Sequence, residues 1–207
     1  MTLHHGDYTK APLHYTAIQE AFNYRHTDGR MEHLEDDVNE YYKVAGRLLE
    51  ANGGEEPSSI LDIGCRFGAC FIAYKERFPD AYVAGIDIVE LFVKYASKRG
   101  DAQVADVHNM PFDDDQFEWI TCNGSFEHFY NVEDAAKEMM CVASKGIVIV
   151  TELQGERVFA TTPSHFARAD DVDDWASLFA MDGWTVDAGA VGHVAKGNNV
   201  YIVAKAP

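Results

Sequence analysis

Two glycines and an acid stand within nine residues of one another in Ile60-Leu61-Asp62-Ile63-Gly64-Cys65-Arg66-Phe67-Gly68. The run opens with strand-type apolar residues, breaks at the glycines, and continues from Ala69 with apolar residues at helical spacing. Strand, glycine turn and helix in that order let backbone approach a nucleotide closely. Glycine has no Cβ, and a helix N-terminus has free N–H groups. Asp62 selects among nucleotides: an acid two residues before the first glycine repels a pyrophosphate and welcomes a positively charged group. Asp87 and Asp106 each close a further short run, at the edge where open parallel sheets hold ligands. Asp87 follows Gly64 by 23 positions, close to the roughly 20 at which an acid holds ribose hydroxyls. It suits equally well a cap for a helix over Val89–Arg99.

These groups need elements to hold them. A helix from Asp36 or Asp37 through Glu50 carries the apolar stripe Val38, Tyr41, Tyr42, Ala45, Leu48 and Leu49, and Asn52-Gly53-Gly54 stops it. Strands are expected at Ala81–Asp87, Ala102–Asp106, Phe117–Cys122 and Ile147–Val150. Helices are expected at Ala69–Phe78, from Asn131 or Asp134 through Ala143 (ended by Lys145-Gly146), and at Asp171–Met181. Trp184–Val191 and Asn199–Ala204 read as an antiparallel pair. Residues 1–35 hold one short helical stretch, Ala17–Asn23, and either cover the site or pack as an arm on the sheet. Gln154–Asp170 reads as a loop suited to a substrate cover.

Asp62 to Gly68 resembles the first motif of the class I S-adenosylmethionine-dependent methyltransferases, Asp/Glu-x-Gly-x-Gly-x-Gly, with Arg66 in place of the middle glycine. A second stretch, Asp106 to Ile120, resembles the family pattern in which Asp, Leu/Met-Pro-Phe and an acidic turn lead into the fourth strand; here the central residues are Met110-Pro111-Phe112. Asn123-Gly124-Ser125-Phe126-Glu127-His128 is similar to the Glu-His segment of small-molecule members. It lacks the Asp/Asn-Pro-Pro-Tyr/Phe of members that modify amines in DNA. The resemblance covers roughly residues 58–204.

That resemblance implies an α/β, Rossmann-like, mostly parallel sheet in the order 3-2-1-4-5-7-6 with helices on both faces. It implies a single methyltransferase domain, with residues 1–57 an N-terminal helical segment and 58–207 the core. The implied cofactor is S-adenosylmethionine. Its site would take Asp62, Gly64, Cys65, Arg66 and Gly68 from the first turn, then Asp87 with Ile88. Asp106, accepting from the adenine amino group, and Val107 follow, with Asn123 and Gly124 after the fourth strand. His128 and Glu127 take the catalytic position. His128 is either the general base, with Glu127, Glu152 and His165 behind it, or a loop histidine packed against the adenine. Arg66 either keeps a negative φ with its side chain outward, or weakens binding by crowding the methionine end of the cofactor or adding positive charge beside the sulfonium.

Length and composition bound the rest. The chain has 207 residues, 47% of them apolar and 25% charged, as in a one-domain globular protein. A net charge of −17 repels phosphate backbones and anionic lipid, which excludes nucleic acid and membrane as expected partners, although acidity also serves solubility. The four cysteines form no Cys-x-x-Cys pair, and the nine histidines have no zinc-like spacing, so no metal is expected. With no apolar run of membrane length and no leader-like start, the expected compartment is the cytoplasm. The expected activity is methyl transfer to a small-molecule acceptor. Two alternatives stand beside it: a catalytically silent relative acting as a binding partner, and a nicotinamide-dependent oxidoreductase. Asp62 and the Met110-Pro111-Phe112 run argue against the second.

Overall fold

The computed structural model describes residues 34–153, 171–191 and 198–207. Expectations for residues 1–33, including the Ala17–Asn23 helix, for the 154–170 cover with His165, and for the turn at 192–197 lie outside the described residues.

Apolar runs become strands and the amphipathic stretches between them become helices. The order is α1 (Leu34–Ala51), β1 (Ser59–Ile63), α2 (Ala69–Arg77), β2 (Tyr82–Asp87), α3 (Glu90–Ala96), β3 (Asp101–Val104) and β4 (Phe117–Asn123). A single 3-10 turn at Phe126–His128 leads to α4 (Val132–Val142), β5 (Ala143–Leu153), α5 (Val172–Ala176), β6 (Thr185–Ala190) and β7 (Asn198–Lys205). The strands form one seven-stranded sheet, β3-β2-β1-β4-β5-β7-β6. β7 runs antiparallel to both neighbours, and the other pairings are parallel. This is the order that the family resemblance implied.

Each central strand is buried on both faces, which is why it reads as a continuous apolar run rather than an alternating one. Period-two alternation sends Ile60, Trp119 and Val148 to one face, where they meet Tyr41, Val44, Ala45 and Leu48 of α1 and Cys70, Ala73 and Tyr74 of α2. Leu61, Ile63, Ile120 and Ile147 go to the other face, against Ala135, Ala136 and Met139 of α4 and Trp175 of α5. Asp62 shares the parity of Ile60. Its side chain therefore enters the layer between β1 and α1.

Several boundaries differ from the expectation. α1 starts at Leu34, so Asp36 and Asp37 are first-turn residues, where acids favour the positive end of the helix dipole, rather than N-caps. β5 begins at Ala143, directly after α4, so Lys145-Gly146 lies within a strand and does not end a helix. A Cβ on Gly146 would come within 2.6 Å of both the Trp119 ring and the Ala204 carbonyl oxygen, so glycine is required there by close approach. β3 ends at Val104, placing Asp106 two residues beyond the strand. α3 ends at Ala96 and α5 at Ala176, both short of the lengths expected.

Candidate functional site

β1 and β4 are neighbours, yet the chain runs from β1 outward through β2 and β3 before returning to β4. Loops leaving β1 and β4 at their C-terminal ends therefore diverge and leave a crevice. Register aligns the rim: Ile63 pairs with Ile86 on one side and Cys122 on the other, so Gly64, Asp87 and Asn123 emerge together. A cavity of about 450 Å³ opens at this point.

Its wall is built strand by strand. The β1 turn contributes Gly64, Cys65 and Arg66; Asp87 ends β2 and Ile88 follows it. Asp106 and Val107 follow from beyond β3, Asn123 ends β4, and Gly124 and His128 come from beyond it. Asp37, Glu40 and Tyr41 of α1 close the near side, a contribution the sequence reading missed. Their signal was hidden because Tyr41 lies on the stripe that packs α1 against the sheet.

Gly64 has φ 76° and its N–H donates to the Ile86 carbonyl at 2.8 Å. A Cβ there would come 2.1 Å from Ser125 Oγ, so both the left-handed backbone and the neighbouring loop demand glycine. Gly68, at φ 83°, is the N-cap of α2 and sits against Phe71 and Ala96 rather than at the cavity wall.

Asp87 is the centre of the site. Its Oδ2 accepts from the Arg66 N–H and its Oδ1 from the Val89 N–H, each at 2.9 Å. Two backbone donors thus fix the carboxylate at the rim, and each oxygen retains a second lone pair for a ligand hydroxyl. Burial pushes its pKa up to about 6, although the two N–H groups, the Arg66 charge and His128 pull it the other way. Asp87 does not cap α3, whose N-cap is Val89 with no side-chain cap hydrogen bond; its carboxylate organises the turn before that helix and lines the cavity.

Asp62 stands differently from the expectation. It is fully buried beneath the cavity, with Oδ2 accepting from Tyr41 Oη at 2.8 Å and Oδ1 from Thr121 Oγ1 at 2.7 Å. Burial raises it to about 7 against the lowering effect of the Thr121 and Tyr41 hydrogen bonds. The physical reason is strand parity, which turns Asp62 toward α1. Asp62 does not line the cavity.

Arg66 also departs from the expected negative φ. It adopts φ 46°, taking the left-handed conformation that glycine would occupy, and its guanidinium pairs with Asp37 at 3.2 Å. The side chain is drawn to α1 at the cavity's edge.

Of the two candidate catalytic residues, only His128 lines the cavity. Phe126 anchors the 3-10 turn by packing against Trp175 and Phe179, and the turn presents His128 on the opposite side. Glu127 is turned into the protein, accepts from the Thr151 hydroxyl and does not line the cavity.

The chemistry of the wall favours a cationic nucleoside. Asp37, Glu40, Asp87 and Asp106 bring four carboxylates, against which Arg66 is one cation already paired with Asp37. Ile88, Val107 and Phe129 give apolar surface beside Asp106. A fixed carboxylate at the rim, an apolar slot and an acidic end suit the ribose, adenine and sulfonium-bearing amino-acid parts of S-adenosylmethionine.

Comparison with known proteins agrees with the geometry. A family model described as a methyltransferase domain matches residues 61–150. The demethylmenaquinone methyltransferase of Thermotoga maritima is 30% identical over 115 residues, 54% of this chain and 48% of that protein. Ajmaline N-methyltransferase of Rauvolfia serpentina is 29% identical over 105 residues, 46% of this chain and 36% of that protein. The chain thus spans about half the length, or less, of these curated relatives. Among solved structures, magnesium protoporphyrin IX methyltransferase of Synechocystis PCC 6803 with bound S-adenosylhomocysteine superposes with a TM-score of 0.68. That likeness covers 92% of this chain and 98% of the other at 14% identity, and it establishes a shared fold.

Proposed function

We propose that this chain, which belongs through residues 61–150 to the class I S-adenosylmethionine-dependent methyltransferases, binds S-adenosylmethionine in the cavity and transfers its methyl group to a small-molecule acceptor. The observation that carries the reading is Asp87, held by two backbone N–H groups at the rim beside Gly64. The curated relatives support a small acceptor, since they are named for a quinone precursor and an alkaloid.

The cofactor supplies an already activated methyl group, so the residues here chiefly bind, orient and exclude water; well-oriented reactants gain on the order of 7–11 kcal/mol. Asp87 accepts from the ribose hydroxyls, and Asp106 from the adenine amino group with Ile88 and Val107 against the ring. The Gly64-Cys65-Arg66 backbone and the Asn123-Gly124 loop enclose the amino-acid end. Asp37 and Glu40 face its positive charge, and Asp62 adds to that field from below. His128, at the mouth, takes a proton from an acceptor that must lose one as it attacks, worth roughly 10²–10⁴-fold. The chain acts as one domain, and among the described residues no helix is long and apolar enough to cross a membrane.

Calorimetric titration with S-adenosylhomocysteine tests the reading. Micromolar binding by the wild type, lost in Asp87→Ala, is the expected result. No binding by a folded wild-type protein would overturn it. For His128, the His128→Ala variant should bind the product as tightly as wild type and turn over slowly; unchanged turnover removes it as the base.

A further inference from the structure

The run between β3 and β4 holds a histidine that the proposed mechanism does not use. The His108 side chain is only 5% exposed and lies behind Asp106, outside the cavity wall. Asp106 Oδ1 accepts from the His108 backbone N–H at 3.0 Å and approaches the ring Nδ1 at 2.6 Å. On the far side, the Asn131 backbone N–H donates to Nε2 at 3.4 Å. A ring nitrogen that accepts carries no proton, so the neutral ring bears its proton on Nδ1 and donates it to Asp106. The ring plane is fixed by the Tyr130 ring, stacked at 3.9 Å and 27°, and by Phe129 at 6.1 Å edge-on.

This places one imidazole between Asp106 of the cavity wall and the start of α4. One nitrogen holds the carboxylate beyond β3; the other is held by Asn131, whose side chain caps α4 by accepting from the Asp134 N–H. Asp106 follows a four-residue edge strand, its backbone is bridged to Asn109, and its side chain is 31% exposed. We propose that His108 is a positioning residue for base recognition: by donating from Nδ1 it aims the Asp106 carboxylate at the exocyclic amine of the cofactor's purine, and so sets selection for adenine over a 6-oxo purine. The proposal rests on the reading of Asp106 as the adenine contact. A 6-oxo purine presents a carbonyl oxygen where adenine presents an N–H donor, and an aimed carboxylate repels it.

The test is paired calorimetric titration with S-adenosylhomocysteine and S-inosylhomocysteine, with thermal melting of every variant. The variants are His108→Phe, which keeps a ring for Tyr130 and removes the donor, His108→Gln, which misplaces it, and His108→Asn, which puts an amide N–H near the Nδ1 position. Wild type is expected to prefer the adenosyl compound by about tenfold or more, the scale of one hydrogen bond to a charged group. His108→Phe and His108→Gln should lower that preference to roughly threefold or less, and His108→Asn should restore it. If Phe packs badly, Gln against Asn carries the comparison. Wild-type protein that binds both compounds equally overturns the adenine reading of Asp106 and this proposal with it. Wild-type discrimination retained in both Phe and Gln variants overturns the role of His108 alone.

Discussion

The Tyr41 hydroxyl donates to Asp62 Oδ2 at 2.8 Å, joining α1 to β1 directly beneath the cavity. With the Arg66–Asp37 pair one turn earlier on the helix, it fastens α1 at two points, to β1 and to the glycine turn that follows it. α1 is thereby a wall of the site and not only a cover for the sheet.

Removing that donor should cost stability. Tyr41→Phe leaves a fully buried carboxylate with Thr121 in place and Tyr41 gone, and losing a partner of a buried charged group costs about 1–3 kcal/mol. Burial already holds Asp62 near 7, and losing a hydrogen bond that lowers it pushes it further up. The loss should therefore be larger at pH 8 than at pH 5. Urea unfolding at the two pH values measures both quantities.

The pH dependence of the wild type follows from the same group. Below about pH 4 the Asp62 carboxyl is protonated in both folded and unfolded chains and contributes nothing to the dependence. As pH rises toward 7, the unfolded chain ionises first, so stability falls, and the loss is complete once pH exceeds the folded value of about 7. Asp87, raised to about 6, acts in the same direction over a narrower window. Asp62→Asn should flatten the fall between pH 5 and 7, on the order of a kcal/mol or more, in denaturation curves taken across that range.

Ligand affinity should move the opposite way with pH. Asp87 must be ionised to accept from two hydroxyls while holding the Arg66 and Val89 N–H groups. S-adenosylhomocysteine should bind progressively more weakly as pH falls below about 6. Asp87→Asn should bind roughly tenfold or more weakly at pH 8, with little further loss on acidification.

At Arg66, backbone and side chain can be separated. Arg66→Ala keeps a Cβ at φ 46° and loses the Asp37 pair, whereas Arg66→Gly loses the pair and relieves the backbone. The pair is half-exposed and worth at most about 1 kcal/mol. The left-handed conformation costs a non-glycine residue about 1–2 kcal/mol. Gly should therefore be the more stable variant, by up to that amount less glycine's greater freedom in the unfolded chain. Thermal melting of the two variants decides the order.

Gly64→Ala should be severe, because its Cβ would lie 2.1 Å from Ser125 Oγ on a backbone at φ 76°. About 1–3 kcal/mol is expected from overpacking, with backbone strain in addition. Adding Ser125→Gly should recover the steric part and leave the strain, as measured by chemical denaturation of the single and double variants.

The fold was legible in the sequence because its evidence is local. Apolar runs separated by turn residues marked the strands, the glycines after Ile63 marked the first crossover, and two motifs at a set distance carried the family resemblance. Boundaries slipped where a tertiary contact overrode propensity. Gly146 looked like a helix terminator, but it is a strand residue kept small by Trp119 and Ala204. Strand-end positions, Asp87 above all, were legible for the same reason as the strands: a parallel sheet delivers every C-terminal end to one edge.

What the sequence could not express is which way a side chain faces once two distant segments meet. Asp62 read as a ligand contact, and strand parity turned it under α1 to Tyr41 and Thr121. Adjacent Glu127 and His128 read as a pair, and a single 3-10 turn buried one against Thr151 and put the other in the cavity. His108 carried no signal beside its Met-Pro-Phe neighbours, yet it touches Asn131, 23 residues away, and Asp106 at once. Local pattern determined the elements and their order; the direction of each polar side chain was decided by packing between segments far apart in the chain, where burial leaves a charged group one set of partners.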